Sequence, residues 1–172
     1  MWWLWPVVII VGLFGLVVFR GAPYVPSRKR ELADAFERLY PLDSHDTLVD
    51  IGSGDGIVLR EAAKRGARAI GYELNPVLVL ISQLLSRGND RVTTRLADFW
   101  TVQLPPETTV VYVFGESRDI TKMAQKVENE AVRMDKTLAF ISYGFAVPDR
   151  TPVKKAGAYY LYQFVPLHTG KA

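Results

Sequence analysis

Hydrophobic and polar positions follow two different patterns along the chain. Residues 2–19 contain no charge, and apolar residues would occupy every face of a helix drawn through them. Beyond Arg20, short apolar runs alternate with amphipathic stretches. A helix is predicted over 27–40, with Ser27 as its cap, a stripe of Leu32, Phe36 and Leu39, and Pro41 as its stop. There follow a strand over 47–51, a helix over 56–65, a strand over 68–74, a helix over 76–87 and a strand over 91–97. The series continues with a strand over 109–114, a helix over 118–134 and a strand over 137–145. Two last strands, 152–156 and 158–165, flank Gly157 and suit an antiparallel finish. Alternation at this spacing predicts an α/β fold, a largely parallel sheet with helices on both faces.

As a helix rising 1.5 Å per residue, the segment 2–19 would be about 27 Å long, close to the hydrocarbon thickness of a bilayer. Trp2, Trp3 and Trp5 crowd one end, where indoles favour the headgroup level, and Arg20, Arg28, Lys29 and Arg30 follow the other. This asymmetry predicts a retained single-pass anchor over 1–20 with the folded part on the cytoplasmic side. A cleaved signal peptide would start with basic residues and end in small ones, and Arg20 sits where the cut would fall. The expected organisation is anchor 1–20, connector and first helix 21–46, and folded domain 47–172.

Composition narrows the chemistry. With no cysteine and only His45 and His168, a disulfide framework, a thiolate nucleophile and a Cys-rich or multi-histidine metal site are excluded. A net charge of +3 with dispersed basic residues gives no argument for nucleic acid. The run Asp43-Ser44-His45-Asp46 reads as a solvated turn, and the mix Lys126, Glu128, Glu130, Arg133 as a solvated helix face. Tyr159, Tyr160, Tyr162 and Phe164 read as a sheet strand with alternate residues facing opposite helix layers.

The segment Val49-Asp50-Ile51-Gly52-Ser53-Gly54-Asp55-Gly56-Ile57 carries the most information. An apolar strand ends in an acid, a tight glycine turn follows and a helix begins, which is where parallel sheets bind ligands. A dinucleotide-binding turn would put its third glycine at position 57, but Ile57 is there. The spacing is wrong for NAD. Glu73, ending the next strand, is placed to accept from both hydroxyls of a ribose. Asp98 and Phe99, after the third strand, suit the exocyclic amine and the ring face of an adenine. Three acids at three successive strand ends, beside this turn, therefore point to an adenosine ligand.

From Leu48 to Trp100 the chain resembles the class I S-adenosylmethionine-dependent methyltransferases. The resemblance implies a Rossmann-like sheet and S-adenosylmethionine as cofactor, held by Asp50, Gly52, Ser53, Gly54, Glu73, Asp98 and Phe99. A narrower likeness rests on the apolar lead, Pro23-Tyr24-Val25-Pro26, the glycine turn, Gly71-Tyr72-Glu73-Leu74-Asn75-Pro76 and Tyr112-Val113-Phe114-Gly115. These runs are similar to the small membrane-tethered protein-lysine methyltransferases, whose members modify the ATP synthase c-subunit and the adenine nucleotide translocase and which have archaeal relatives. That resemblance implies a protein partner with an accessible lysine, membrane proteins included. Glu116-Ser117-Arg118 and Ser142-Tyr143-Gly144-Phe145 depart from the family pattern, so the acceptor is less defined than the cofactor. A lysine amine attacks only when neutral, so a carboxylate or tyrosine beside the methyl group is expected to orient and deprotonate it. Glu116 is the first candidate, then Tyr24 and Tyr143. The alternatives are a methyltransferase for a small or membrane-dissolved molecule, and a cofactor-binding module without turnover.

Overall fold

The computed structural model describes residues 2–5, 8, 29–114 and 119–166. Seven strands form one sheet: β1 (Thr47–Ile51), β2 (Arg68–Glu73), β3 (Val92–Leu96), β4 (Val110–Phe114), β5 (Leu138–Tyr143), β6 (Lys154–Ala156) and β7 (Tyr159–Phe164). Their order is β3-β2-β1-β4-β5-β7-β6. The first five run parallel, in a register that sets Val49 beside Ile70 and Val111, and Tyr112 beside Ile141. β7 returns antiparallel to β5, and β6 pairs antiparallel with β7 at the edge. β1 is buried throughout, as a strand covered on both faces must be. β3, at the opposite edge, alternates threonine and arginine into solvent.

Helix α1 (Lys29–Asp34) precedes β1, and α2 (Ile57–Ala63), α3 (Pro76–Leu85) and α4 (Ile120–Met134) connect β1 to β2, β2 to β3 and β4 to β5. The first helix keeps its expected stripe, with Leu32, Phe36 and Leu39 buried, but widens after Asp34 into a π-helical turn over Ala35–Leu39 before Tyr40 becomes extended. Alternation along the strands sorts the core into two layers. Leu48, Ala69, Tyr112, Ile141 and Tyr159 pack with α1 and α2, while Val49, Ile70, Val113, Phe140 and Tyr162 pack with α4. The aromatic run of β7 divides as its period of two requires. Ser82 of α3 meets Thr94 of β3, which places α3 on the α1–α2 face. Element boundaries fall within a few residues of those predicted. Helix α2 begins at Ile57 because Gly56, with φ of +78°, sits just outside it in the left-handed region.

The β3–β4 connection, 97–109, crosses the α4 face without a helix of its own. Its backbone groups are satisfied by α4 side chains. Lys126 Nζ donates to the Val102 carbonyl at 2.8 Å, Arg133 Nη2 donates to the Leu104 carbonyl at 2.7 Å, and Glu130 Oε2 accepts from the Leu104 amide at 3.0 Å. Glu128 pairs with Arg150 at 2.7 Å. The expected solvated helix face is corrected accordingly, because a helix-free crossover must find partners for its peptide groups somewhere. The 43–46 run is a hydrogen-bonded turn: Asp43 Oδ1 accepts from the His45 amide at 2.7 Å, and Asp46 Oδ1 accepts from the Tyr40 and Thr109 hydroxyls.

Most of segment 2–19 lies outside the described residues. Among those described, no helix is long and apolar enough to cross a membrane.

Candidate active site

The parallel strands all deliver their carboxyl ends to one edge of the sheet. Register places Ile51 beside Tyr72 and Val113, Glu73 beside Leu96, and Phe114 beside Tyr143. The glycine turn between β1 and α2 is left-handed at Gly52, Gly54 and Gly56 (φ of +70°, +54° and +78°), which other residues rarely tolerate. The amides of Gly52 and Ser53 donate to the Tyr72 carbonyl at 2.9 and 3.2 Å. The turn is therefore stitched to the end of β2. A Cβ on Gly71 would lie 2.7 Å from Leu59 Cδ1 and collide with the Ser53 side chain, so β2 must carry a glycine where the turn crosses it. Around Gly52, in contrast, nothing lies within 4 Å of where a Cβ would be, leaving that part of the turn open to a ligand.

Glu73 is buried, and both its oxygens are used. Oε2 accepts from the Gly54 amide and Oε1 from the Asn75 amide, each at 2.8 Å. Asn75 in turn caps α3, accepting from the Val77 amide at 2.9 Å, with Pro76 opening the helix. One carboxylate thus sets the position of the turn relative to α3. Each carboxylate oxygen retains acceptor capacity for a second donor.

Asp50, the acid closing β1, is 2% exposed. Burial, then the neighbouring charges of Glu73 and Asp55, push its carboxyl well above the usual carboxylate range. Arg60 is engaged with Asp55 at 3.4 Å. The turn consequently has an excess of acid that a cationic ligand would relieve. Ser53 Oγ is buried with no hydrogen-bond partner among the described residues, a second unmet demand at the same place.

Asp98 is half-buried beyond β3, its Oδ1 accepting from the Trp100 amide at 2.9 Å. Phe99 is buried in the α4-side core, with Lys126 Nζ 5.1 Å from its ring centre, while Trp100 is the exposed aromatic of the pair.

On the β4–β5 side the Tyr143 ring lies 5.1 Å from Phe114 and 4.5 Å from Tyr159. Its hydroxyl donates to Glu31 Oε2 at 2.9 Å. Glu31, in the first turn of α1, is a residue that sequence reasoning misses. As an acid in a helical first turn it looks ordinary, and only the folding of α1 across the sheet brings it to Tyr143 from 112 residues away. Glu116 and Tyr24 lie outside the described residues; the chain reaches the first just after Phe114 and the second shortly before Lys29.

Residues 50–154 match the model of the ANTKMT methyltransferase domain. Human ATP synthase c-subunit lysine N-methyltransferase is 32% identical over 135 residues, 76% of this chain and 54% of that protein. The rat protein of the same name is 32% identical over 140 residues, 78% of this chain and 61% of that protein. The chain thus spans little more than half the length of these relatives. Among solved structures, an RNA methyltransferase from Salinibacter ruber in complex with S-adenosyl-L-homocysteine superposes with a TM-score of 0.70 at 25% identity, covering 82% of this chain and 94% of that one.

Proposed function

Because the chain belongs to the ANTKMT methyltransferase domain family, we propose that it transfers the methyl group of S-adenosylmethionine to the side-chain amine of a protein lysine. The observation that carries the reading is the glycine turn pinned by Glu73, open at Gly52 and surrounded by acids. The donor set fits this cofactor. An adenosine with two free hydroxyls and a positive sulfonium matches a carboxylate with spare acceptor sites and a buried acid short of positive charge.

When bound, S-adenosylmethionine supplies an electrophilic methyl group. The chain's own residues hold and align. Glu73 accepts the ribose hydroxyls with its remaining lone pairs, Asp98 accepts the adenine amine, and Asp50 ionises to offset the positive charge. At the acceptor end the Tyr143 oxygen, its own proton committed to Glu31 Oε2, accepts an N–H of the incoming lysine. It orients the neutral amine for in-line attack, and Glu31 Oε2 is the nearby site for the proton. Glu116 and Tyr24 remain candidates for the same side of the site.

The uncharged segment 2–19 is proposed as a single-pass anchor that holds the domain on the cytoplasmic face, so that acceptors in or at the membrane are met first. The names of the relatives favour a lysine of the ATP synthase c-subunit or a similar membrane protein. Incubation with methyl-labelled cofactor and a membrane extract tests the reading. Label on protein lysine that disappears with Glu73→Ala supports it. Label confined to lipid, small molecules or RNA, or cofactor binding with no transfer to any extract, refutes the protein-lysine assignment.

A further inference from the structure

Helix α3 is apolar on the side that faces away from the sheet. Its inner face is formed by Leu78, Val79 and Ser82, which are buried. The outer stripe has Leu80, Leu84 and Leu85, which are 56%, 60% and 56% exposed, with Ile81 beside them. Spaced at i, i+1, i+4 and i+5, these residues form one continuous band along the helix. Leu74, before the helix, and Leu96, on the neighbouring strand, are also exposed and extend the patch. No charge occurs from Leu74 to Ser86. The charges come at the far end, where Arg87, Asp90 and Arg91 are exposed and Arg91 Nη1 donates to the Gly66 carbonyl at 2.9 Å.

We propose that this face of α3 rests in the headgroup and upper acyl region of an anionic bilayer, a second membrane contact in addition to the segment 2–19. Three observations select a lipid surface as the occupant. The uncharged lead has bilayer length, and only the ten residues after Phe19 reach Lys29, a span of at most about 35 Å. The apolar band stands out along a convex helix, and a fluid interface can cover it without a shaped partner. Arg87 lies where the band ends, so its guanidinium group can reach an anionic headgroup while the leucines enter the acyl boundary. With α3 down, the Glu73–Asn75 end of the site is held beside the membrane surface. The inference shares the bilayer with the proposed anchor but does not depend on methyl transfer.

The chain has no cysteine, so a single introduced one labels uniquely. The full chain is placed in nanodiscs containing phosphatidylglycerol, with an environment-sensitive nitrobenzoxadiazole probe at Leu84→Cys or, on the opposite helix layer, at Lys122→Cys. The expected result is a blue-shifted probe at 84 that is quenched severalfold by a shallow spin-labelled lipid, with weaker quenching when phosphatidylcholine replaces the anionic lipid. The probe at 122 stays water-like. A water-like, unquenched probe at 84 overturns the proposal. So does a blue shift at 84 that is equally present without lipid: one that grows with protein concentration assigns the face to a second copy, and one that does not assigns it to the chain's own lead. Cofactor binding measured on the same samples reports separately on the methyltransferase reading.

Discussion

The two halves of the sheet's carboxyl edge are built in different ways. On the β1–β3 side, each element of the site is local in sequence. The turn is contained in 50–57, Glu73 and the α3 cap in 73–77, and Asp98 bonds to Trp100 two residues on. Backbone amides do most of the holding. On the β4–β5 side, Tyr143 depends on Glu31, Phe114 and Tyr159, which come from three distant parts of the chain. The first half suits a fixed ligand common to many enzymes, and the second can change with the acceptor.

If the halves divide cofactor from acceptor, variants should sort by which measurement they affect. The largest effect is expected from Gly71→Val. Its side chain would strike Ser53 and Leu59 and displace the turn, costing about 1–3 kcal/mol of stability and abolishing cofactor binding. Thermal melting and calorimetry check both. Glu73→Ala removes acceptors from two backbone amides and the ribose. At roughly 1.5–3 kcal/mol for each of the two charged hydrogen bonds proposed to the ribose, cofactor affinity should fall by about 10²- to 10⁴-fold, with transfer falling alongside it. Tyr143→Phe and Glu31→Gln should lower the transfer rate by about 10²-fold, within the range of acid–base effects, while calorimetric cofactor affinity stays at the wild-type value. Loss of cofactor binding in either variant would break the division.

A pH series sharpens it further. Asp50 is held above the usual carboxylate range by burial first and then by Glu73 and Asp55. The protonated form is favoured in the fold, so its stabilising contribution is complete at low pH and declines as pH rises through the raised value. A cationic cofactor favours the ionised form, so its affinity should increase with pH over that same window, and Asp50→Asn should flatten the curve. The smallest effect belongs to Tyr40, away from both halves. Burial, then Asp46, pushes its hydroxyl up to about 12. The neutral form again is favoured, so stability is retained below about 10 and lost between there and about 12; Tyr40→Phe should flatten this alkaline limb of a melting series while lowering the whole curve by about 1 kcal/mol for the lost hydrogen bond to Asp46.

The same contrast determines what can be read from the sequence. Apolar runs such as Val110–Phe114 and the glycine turn state their roles within a few residues, and the parallel sheet with its antiparallel end follows from their order. Glu31 escapes sequence reasoning because its importance comes from a contact across 112 residues. The roles of Lys126, Glu130 and Arg133 escape it for a related reason, since ion-rich helical surfaces look alike whether they meet water or a crossing loop. The split of the first helix after Asp34 leaves no pattern either, because its apolar stripe continues through the π-helical turn.

The central claim is tested most directly by single-turnover transfer from methyl-labelled S-adenosylmethionine to purified ATP synthase c-subunit in lipid. Wild-type protein should place the label on a lysine side chain. Glu73→Ala should fail through lost cofactor binding, and Tyr143→Phe should bind cofactor normally but transfer slowly. Wild-type protein that binds the cofactor but labels lipid, or nothing, in place of protein lysine would contradict the account.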